Sequence, residues 1–468
     1  MKEVEEIKNL IFNSEIHQSI ELAASLIRDI NASDYYDLNV TDIERALIKK
    51  FDKTNGILVE FEGKTYDSAL FVISEGYATG GHTRLMENLS QMIPSRPTLL
   101  VTRPTEQSVI TRFERYFEQI ITCFNNKNNV NYINRLAKEI VKYNKVILNI
   151  HPDDLHTVIA CDIAKKLNKE LQVYFVNHAD HIATYGVTVS DIWYEISLSG
   201  HQLDKFRGIL SETKISFLGI PINKPKSSFF EKVNYNYNPD GNRFLTAASS
   251  NKYELEDDAT MIPLLDEILT MNSKNRVSII SSGIEFNPFF KKLKKEYPNR
   301  VRFHSSLPYD EYIKLSEDTD FYIDSYPMPG GTAFVEQFLH GKPCIGLQTK
   351  FYGYTPLELV KRNTAEEALE LLTTTPSDSF LNELNSKIFE VHGFDKVKER
   401  FLSNLYDNIL FKNPMNNYID FRNISKKYNI YFSWDILKKI LKFSKLNFIN
   451  LILSKHFLRL ILNKIKSF

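Results

Sequence analysis

Cysteine is scarce: Cys123, Cys161 and Cys344 are the only three in 468 residues. They lie far apart, form no Cys-x-x-Cys pair and sit in apolar stretches. That excludes a disulfide framework and a cysteine zinc finger, and it predicts three small core residues. Long apolar runs are missing too, and none reaches the roughly eighteen residues of a membrane-spanning helix. The first residues, Met1 to Glu6, are too charged for a signal peptide. A cytoplasmic protein is expected. Net charge is also absent, because Lys+Arg and Asp+Glu both number 58. Overall charge therefore names no partner, and nucleic acid is not expected. The one asymmetry is at the end: Ser425 onward carries ten Lys/Arg and a single Asp.

The length is too great for one ordinary core, so two domains with appendages are expected. Residues 1–50 read as polar, periodic helices with Asn31 and Thr41 as candidate caps. Residues 51–220 alternate short β-rich runs with helical patterns. The runs are Ser68–Ser74, Thr98–Thr102, Lys145–Ile150, Gln172–Asn177, Ile192–Ser197 and Ser216–Gly219. Residues 221–242, rich in Pro, Asn, Lys and Ser, form a linker. A second alternating unit spans 243–389, with strands at Arg243–Ala247, Val277–Ser281, Val301–His304, Phe321–Asp324 and Pro343–Leu347. Strands alternating with helices predict parallel sheets, so the fold class is α/β, two Rossmann-like domains facing a cleft. Ligands are expected at the carboxyl ends of the strands. Residues 390–424 carry a helix, Glu390–Phe411, read as returning across the first domain. Residues 425–468 form a basic amphipathic tail.

Chemistry is concentrated in the segment Phe321 to Leu347. A strand runs into a Pro/Gly turn, and a helix starts at about Thr332. Gly330 and Gly331 allow a ligand close to the backbone. The helix N-terminus offers unpaired N–H groups and a positive dipole end, which suit a diphosphate. Thr332 adds a hydroxyl. Glu336, about one turn on, is placed to accept both ribose hydroxyls.

In the first unit, Glu75-Gly-Tyr-Ala-Thr-Gly-Gly-His-Thr-Arg84 follows a strand and precedes a helix. Gly80 and Gly81 permit close approach, and Arg84 is a candidate phosphate or acceptor contact. His82 is the first candidate base, since a neutral imidazole takes a proton from a hydroxyl near pH 7. His151-Pro-Asp-Asp-Leu-His156 and Asn177-His-Ala-Asp-His181 follow two further strands. His178 and Asp180 compete with His82 for the base, and His151 is placed in the cleft. These histidines and aspartates are also a metal set by residue type.

The 321–347 segment resembles the donor-binding motif of glycosyltransferases with the two-domain B-type fold (GT-B). The closer resemblance, over roughly Arg243 to Leu347, is to the O-GlcNAc transferase-type enzymes and bacterial cytoplasmic N-glycosyltransferases. It implies that Leu307, Tyr309 and Tyr312 surround a uracil, and that Lys252 contacts the diphosphate. Two departures stand out. The acid that holds the ribose is Glu336, where that family often has Asp. Retaining relatives carry a second Glu eight residues earlier, where this chain has Met328, and this leans toward inversion. The His-Pro-Asp-Asp run also resembles the metal motif of zinc N-acetylglucosamine deacetylases, but here it lies deep in the domain and continues with Leu155.

The expectation is a glycosyltransferase of the hexosyl or N-acetylhexosaminyl class. It would use a UDP-sugar and no metal or other cofactor, with a saccharide, lipid-linked or protein acceptor. Competing readings are a non-catalytic accessory protein of the same fold, a sugar-nucleotide epimerase and a metal-dependent deacetylase. The tail, with Trp434 and Phe443 at headgroup level, predicts contact of residues 433–468 with an anionic membrane surface, at the inner face of the cell membrane. That would suit a role in surface polysaccharide assembly. A helix packed on the domain and an oligomer contact are the other uses of such a tail.

Overall fold

The computed structural model describes residues 2–444 apart from 34–37, 56–57, 79–80, 125–128, 223–232, 234, 255–259, 375, 425–429 and 431. Three helices open the chain: α1 (Lys2–Asn13), α2 (Ile16–Asn31) and α3 (Thr41–Asn55). The first sheet contains β1 (Leu70–Ile73), β2 (Thr98–Val101), β3 (Gln119–Thr122), β4 (Lys145–Asn149), β5 (Gln172–Val176), β6 (Ile192–Glu195) and β7 (Lys214–Phe217). Between them run α4 (Gly81–Met92), α5 (Gln107–Phe113), α6 (Asn129–Ile140), α7 (Leu155–Leu167) and α8 (Leu198–Phe206). The second sheet contains β8 (Arg243–Ala247), β9 (Arg276–Ile280), β10 (Val301–His304), β11 (Phe321–Ile323) and β12 (Cys344–Ile345). Its helices are α9 (Ile262–Met271), α10 (Pro288–Glu296), α11 (Tyr309–Glu317), α12 (Thr332–Leu339) and α13 (Ala365–Thr373). The chain then forms α14 (Asp378–His392), α15 (Phe394–Asp407) and α16 (Trp434–Phe443).

Both sheets are parallel throughout, in the orders β3-β2-β1-β4-β5-β6-β7 and β10-β9-β8-β11-β12. Central strands such as β1 and β2 are buried along their whole length, as a sheet covered on both faces requires. In each sheet the strand order reverses once, between β1 and β4 and between β8 and β11. A crevice opens at such a reversal, because the connections on either side leave in opposite directions. The loops at these two points carry the site described below.

Four expectations change. The strand β3 has no counterpart among the runs read from sequence. It is a half-exposed edge strand without a buried apolar run. The opening helices are not a separate appendage: Ile20, Leu26 and Ile43 share one core with Leu70, Val72 and Leu148 of the first sheet. The Glu44 carboxylate is buried there and accepts from the backbone N–H groups of Gly186, Val187 and Thr188 (2.9, 3.2 and 3.0 Å). Asn31 is the last residue of α2 rather than its cap, which is Ala32, and its amide exchanges hydrogen bonds with the Ala183 backbone. Finally, the predicted return helix is broken at Gly393. Leu384 and Ile388 of α14 belong to the core of the second sheet, whereas Val397 and Phe401 of α15 pack with Phe71 and Ile73 of the first sheet.

The described part of the basic tail also departs from its expectation. The apolar residues Ile436, Leu437 and Ile440 of α16 are buried in the first core and pack on α2. The Ser433 N–H donates to Asp29 Oδ2 (2.8 Å), and Ser25 Oγ donates to Asp435 Oδ2 (2.7 Å). Phe443 packs against the same core, whereas Trp434 and Leu441 stay exposed, at 64% and 42%. Residues 445–468 lie outside the described residues. Among the described residues, no helix is long and apolar enough to cross a membrane. All three cysteines are buried and unbridged.

Candidate functional site

A cavity of about 340 Å³ lies between the two sheets. Its second-domain wall is built at the β8/β11 reversal. After β11 the chain turns through Pro329, Gly330 and Gly331 into α12. Gly331 adopts φ 69°, ψ −120°, a backbone conformation that a side chain would strain. At Gly330 a Cβ would stand 2.4 Å from Asp324 Oδ1. The same oxygen accepts the Gly330 N–H (2.8 Å). Asp324 Oδ2 pairs with Lys361 Nζ at 2.7 Å, both side chains being almost wholly buried. A buried ion pair thus fixes the turn that presents the N–H groups opening α12.

Lys252 comes from the loop after β8 and lines the same cavity. Its Nζ donates to the Pro329 carbonyl (2.6 Å), leaving two further donors on the ammonium. Burial lowers its pKa, Asp324 opposes this and Lys361 adds to it. Thr332 completes this wall. Lys252, the helix N-terminus and Thr332 converge as an anion site of a kind that suits phosphate oxygens.

The opposite wall comes from the first sheet. Gly81 and His82, from the start of α4, face Gly330 and Gly331 across the cavity, together with His178 and His181 from the loop after β5. His82 Nε2 lies 2.9 Å from the Glu75 carbonyl. A carbonyl only accepts, so Nε2 carries the proton and Nδ1 keeps its lone pair. Burial lowers the His82 pKa, the Glu75 carbonyl raises it and His151 lowers it again, so the ring is held neutral. The His178 ring stacks on it at 5.3 Å. His178 Nδ1 is buried without a hydrogen-bond partner among the described residues. His181 is pushed down to about 3 by burial, with Lys252 next in effect, and its ring meets Phe351 edge-on at 5.5 Å.

Asp180 does not reach the cavity. It is fully buried, one oxygen accepting from the Tyr354 hydroxyl and the other from Ser197 Oγ. Burial raises its pKa to about 6. With both oxygens occupied it ties Tyr354, which does line the cavity, to the first domain. That removes it from the candidate bases. His151 stands behind His82, their rings 6.0 Å apart, and does not line the cavity.

Glu336 is half-buried one turn into α12, outside the cavity lining. Burial raises its pKa and the charge of Arg84, from the facing α4, counters that. Arg84 itself is exposed. Leu307 and Tyr312 also lie outside the lining and pack against the second core. The Tyr312 hydroxyl accepts from Gln337 Nε2 of α12 (2.7 Å), so it sits against that helix. The Tyr309 side chain and Gly80 lie outside the described residues.

Sequence reading missed His181, Phe351, Tyr354 and Lys361. His181 had a signal, since it ends the same Asn177–His181 run as His178. The other three follow β12, where no motif marks them. The two His/Asp runs make no metal set: among the described residues no three His, Cys, Asp or Glu side chains converge on one point. Asp153 is taken by Arg28 and Arg103 (2.7 and 2.9 Å), and Asp154 by Ser74 and Thr102 (2.6 and 2.7 Å).

No protein-family model matches the sequence, and no curated protein matches it. Solved structures do. Anabaena HepE in complex with UDP and glucose is 14% identical with a TM-score of 0.52, over 73% of this chain and 100% of that one. A Thermobaculum terrenum O-GlcNAc transferase mutant is 13% identical with a TM-score of 0.51, over 85% and 81%. TarM is 11% identical with a TM-score of 0.52, over 73% and 99%. At these identities the similarity is one of fold. The chain has the two-domain GT-B fold, two Rossmann-like domains each built on a parallel sheet.

Proposed function

We propose that the cavity transfers a sugar from a UDP-sugar to an acceptor hydroxyl, with inversion and without a metal. One observation carries this reading. An anion site of Gly330, Gly331, Thr332 and Lys252 faces a neutral histidine, His82, across a cavity of about 340 Å³. The UDP held by the HepE structure of the same fold supports the choice of nucleotide.

The chemistry follows from the two walls. Cleavage of the sugar–phosphate bond puts negative charge on the leaving diphosphate. Lys252 and the α12 N-terminus stabilise that charge where it develops. Glu336 holds the ribose hydroxyls. The acceptor oxygen attacks the anomeric carbon as its proton passes to His82 Nδ1. His178, neutral and stacked on His82, lines the cavity beside the base. Met328 lines the cavity where retaining relatives are implied to carry a carboxylate, so no side chain there offers a covalent intermediate. That favours a single displacement and inversion.

Calorimetric titration with UDP and a panel of UDP-sugars, followed by nucleotide-release assays with and without a membrane extract as the acceptor source, tests this. UDP should bind, and Glu336→Ala should weaken it by about ten- to a hundredfold, the value of a hydrogen bond to a charged group. Release should rise when acceptor is supplied. Absence of binding, or equal binding by Glu336→Ala, contradicts the reading. Release that ignores the acceptor would point to an epimerase or hydrolase instead.

A further inference from the structure

One cluster beside the cavity is used by none of the steps above. Tyr77, from the loop after β1, remains 39% exposed. Its ring meets His82 edge-on at 4.9 Å and lies parallel to His151, 13° apart in plane at 5.9 Å. Polar groups surround its rim. The Tyr77 hydroxyl donates to Glu75 Oε2 (3.3 Å) and lies 3.4 Å from His151 Nε2. Arg103 Nη1 donates to His151 Nδ1 (3.3 Å), which sets the tautomer: Nε2 carries the proton and faces Tyr77. Arg103 is held in turn by Asp153 at 2.9 Å.

The cluster is rigid. Arg112, anchored on Glu87 at 2.7 Å, donates to the carbonyls of Tyr77 and Ala78 (2.9 and 2.8 Å). The Tyr77 N–H is held by Thr83 Oγ1 (3.0 Å). Gly76 has no room for a side chain, since a Cβ would stand 2.7 Å from the Phe113 ring. A preformed surface of this kind binds without first having to be ordered.

Resting on the transfer reading, we infer that Tyr77, with Glu75, His151 and Arg103 around it, is the acceptor subsite, and that its ligand is a saccharide. Its position argues for an acceptor, because the His82 ring touches this cluster on one side and the donor cavity on the other. A molecule seated on Tyr77 can bring a hydroxyl to His82 at the cavity edge. The side-chain types argue for a sugar. The C–H face of a pyranose covers an aromatic ring, while its rim hydroxyls both donate and accept. Glu75 accepts, Arg103 donates, and the Tyr77 hydroxyl, whose own proton goes to Glu75, accepts. Charged partners make those hydrogen bonds the stronger kind. A peptide segment is held instead by strand addition or apolar pockets, and a lipid chain by a continuous apolar wall; one ring with a polar rim is neither.

The test uses the full-length protein saturated with UDP on an array of mono- and oligosaccharides, beside a peptide array, with UDP affinity measured calorimetrically for every variant. Wild type should bind a subset of the saccharides. Tyr77→Ala should lose about tenfold or more of that binding, the value of a stacked ring, with UDP affinity changed less than twofold. Tyr77→Phe, which keeps the ring, should lose less than Tyr77→Ala and guards against a folding artefact. UDP binding without any saccharide binding, binding to peptides only, or equal saccharide binding by wild type and Tyr77→Ala overturns the inference. Failure to bind UDP instead overturns the transfer reading on which it rests.

Discussion

At the scale of single residues, the candidate base carries a sharp consequence. His82 is held neutral by burial, its pKa lying below the ordinary 6.5. If it accepts the acceptor proton, kcat/KM falls as pH drops through that lowered value, because the protonated ring cannot act as a base. Above about pH 7 this limb should be flat. A pH profile of wild type and His82→Gln checks it. Wild type should show an acid limb with an apparent pKa below 6.5, and His82→Gln should lose both the limb and most of the rate. A limb above pH 7, or one that persists in His82→Gln, assigns the proton transfer elsewhere.

The same scale shows what the sequence could and could not reveal. Lys252 was named only through the family resemblance, whereas Gly330, Gly331 and Thr332 were legible because their chemistry is local, glycines before a helix start. His82 was legible for the same reason. Asp180 was not. Three side chains in four residues, His178, Asp180 and His181, follow β5, and their order does not reveal which ones turn outward. The structure sends both histidines to the cavity and the aspartate inward to Ser197 and Tyr354. Phe351, Tyr354 and Lys361 depend on contacts between segments distant in sequence, which no local pattern records.

At the scale of elements, buried strands and amphipathic helices were readable because burial on both faces leaves continuous apolar runs. Edge strand β3 leaves none. The division between α14 and α15 was not readable either, although it matters mechanically. The chain crosses between domains twice, near Ile220 and at His392–Gly393, and the crossings run side by side, the Ile222 N–H donating to the His392 carbonyl (2.8 Å). Arg400 of α15 pins both. Its guanidinium donates to the carbonyls of Leu218, Glu390 and Val391 (3.0, 3.0 and 2.5 Å). Arg400→Ala leaves those carbonyls without these donors and should cost about 2–4 kcal/mol. Urea unfolding followed by tryptophan fluorescence should show the midpoint falling. An unchanged midpoint would mean that the crossings are held by the helices alone.

At the scale of the whole molecule, two parallel sheets present their order reversals to one another, and this makes the site. Neither half contains it alone: the anion site belongs to one sheet and the histidines to the other. The halves are also joined across the cleft. After β12 the chain docks on the start of α8, where the Leu198 and Ser199 N–H groups donate to the carbonyls of Gly353 and Tyr352 (3.2 and 3.0 Å). Tyr354 reaches Asp180 beside them. The general architecture, two domains facing a cleft, was legible in the alternation of strands and helices, whereas the contacts that join the halves were not, since they form only once both domains are folded. Placement of the diphosphate between them is the central claim, and a crystal structure of the protein with UDP tests it most directly. The account predicts the phosphates within hydrogen-bond distance of Lys252 Nζ and the N–H groups that open α12, with the ribose on Glu336. UDP bound elsewhere, or a ribose that does not touch Glu336, would contradict it.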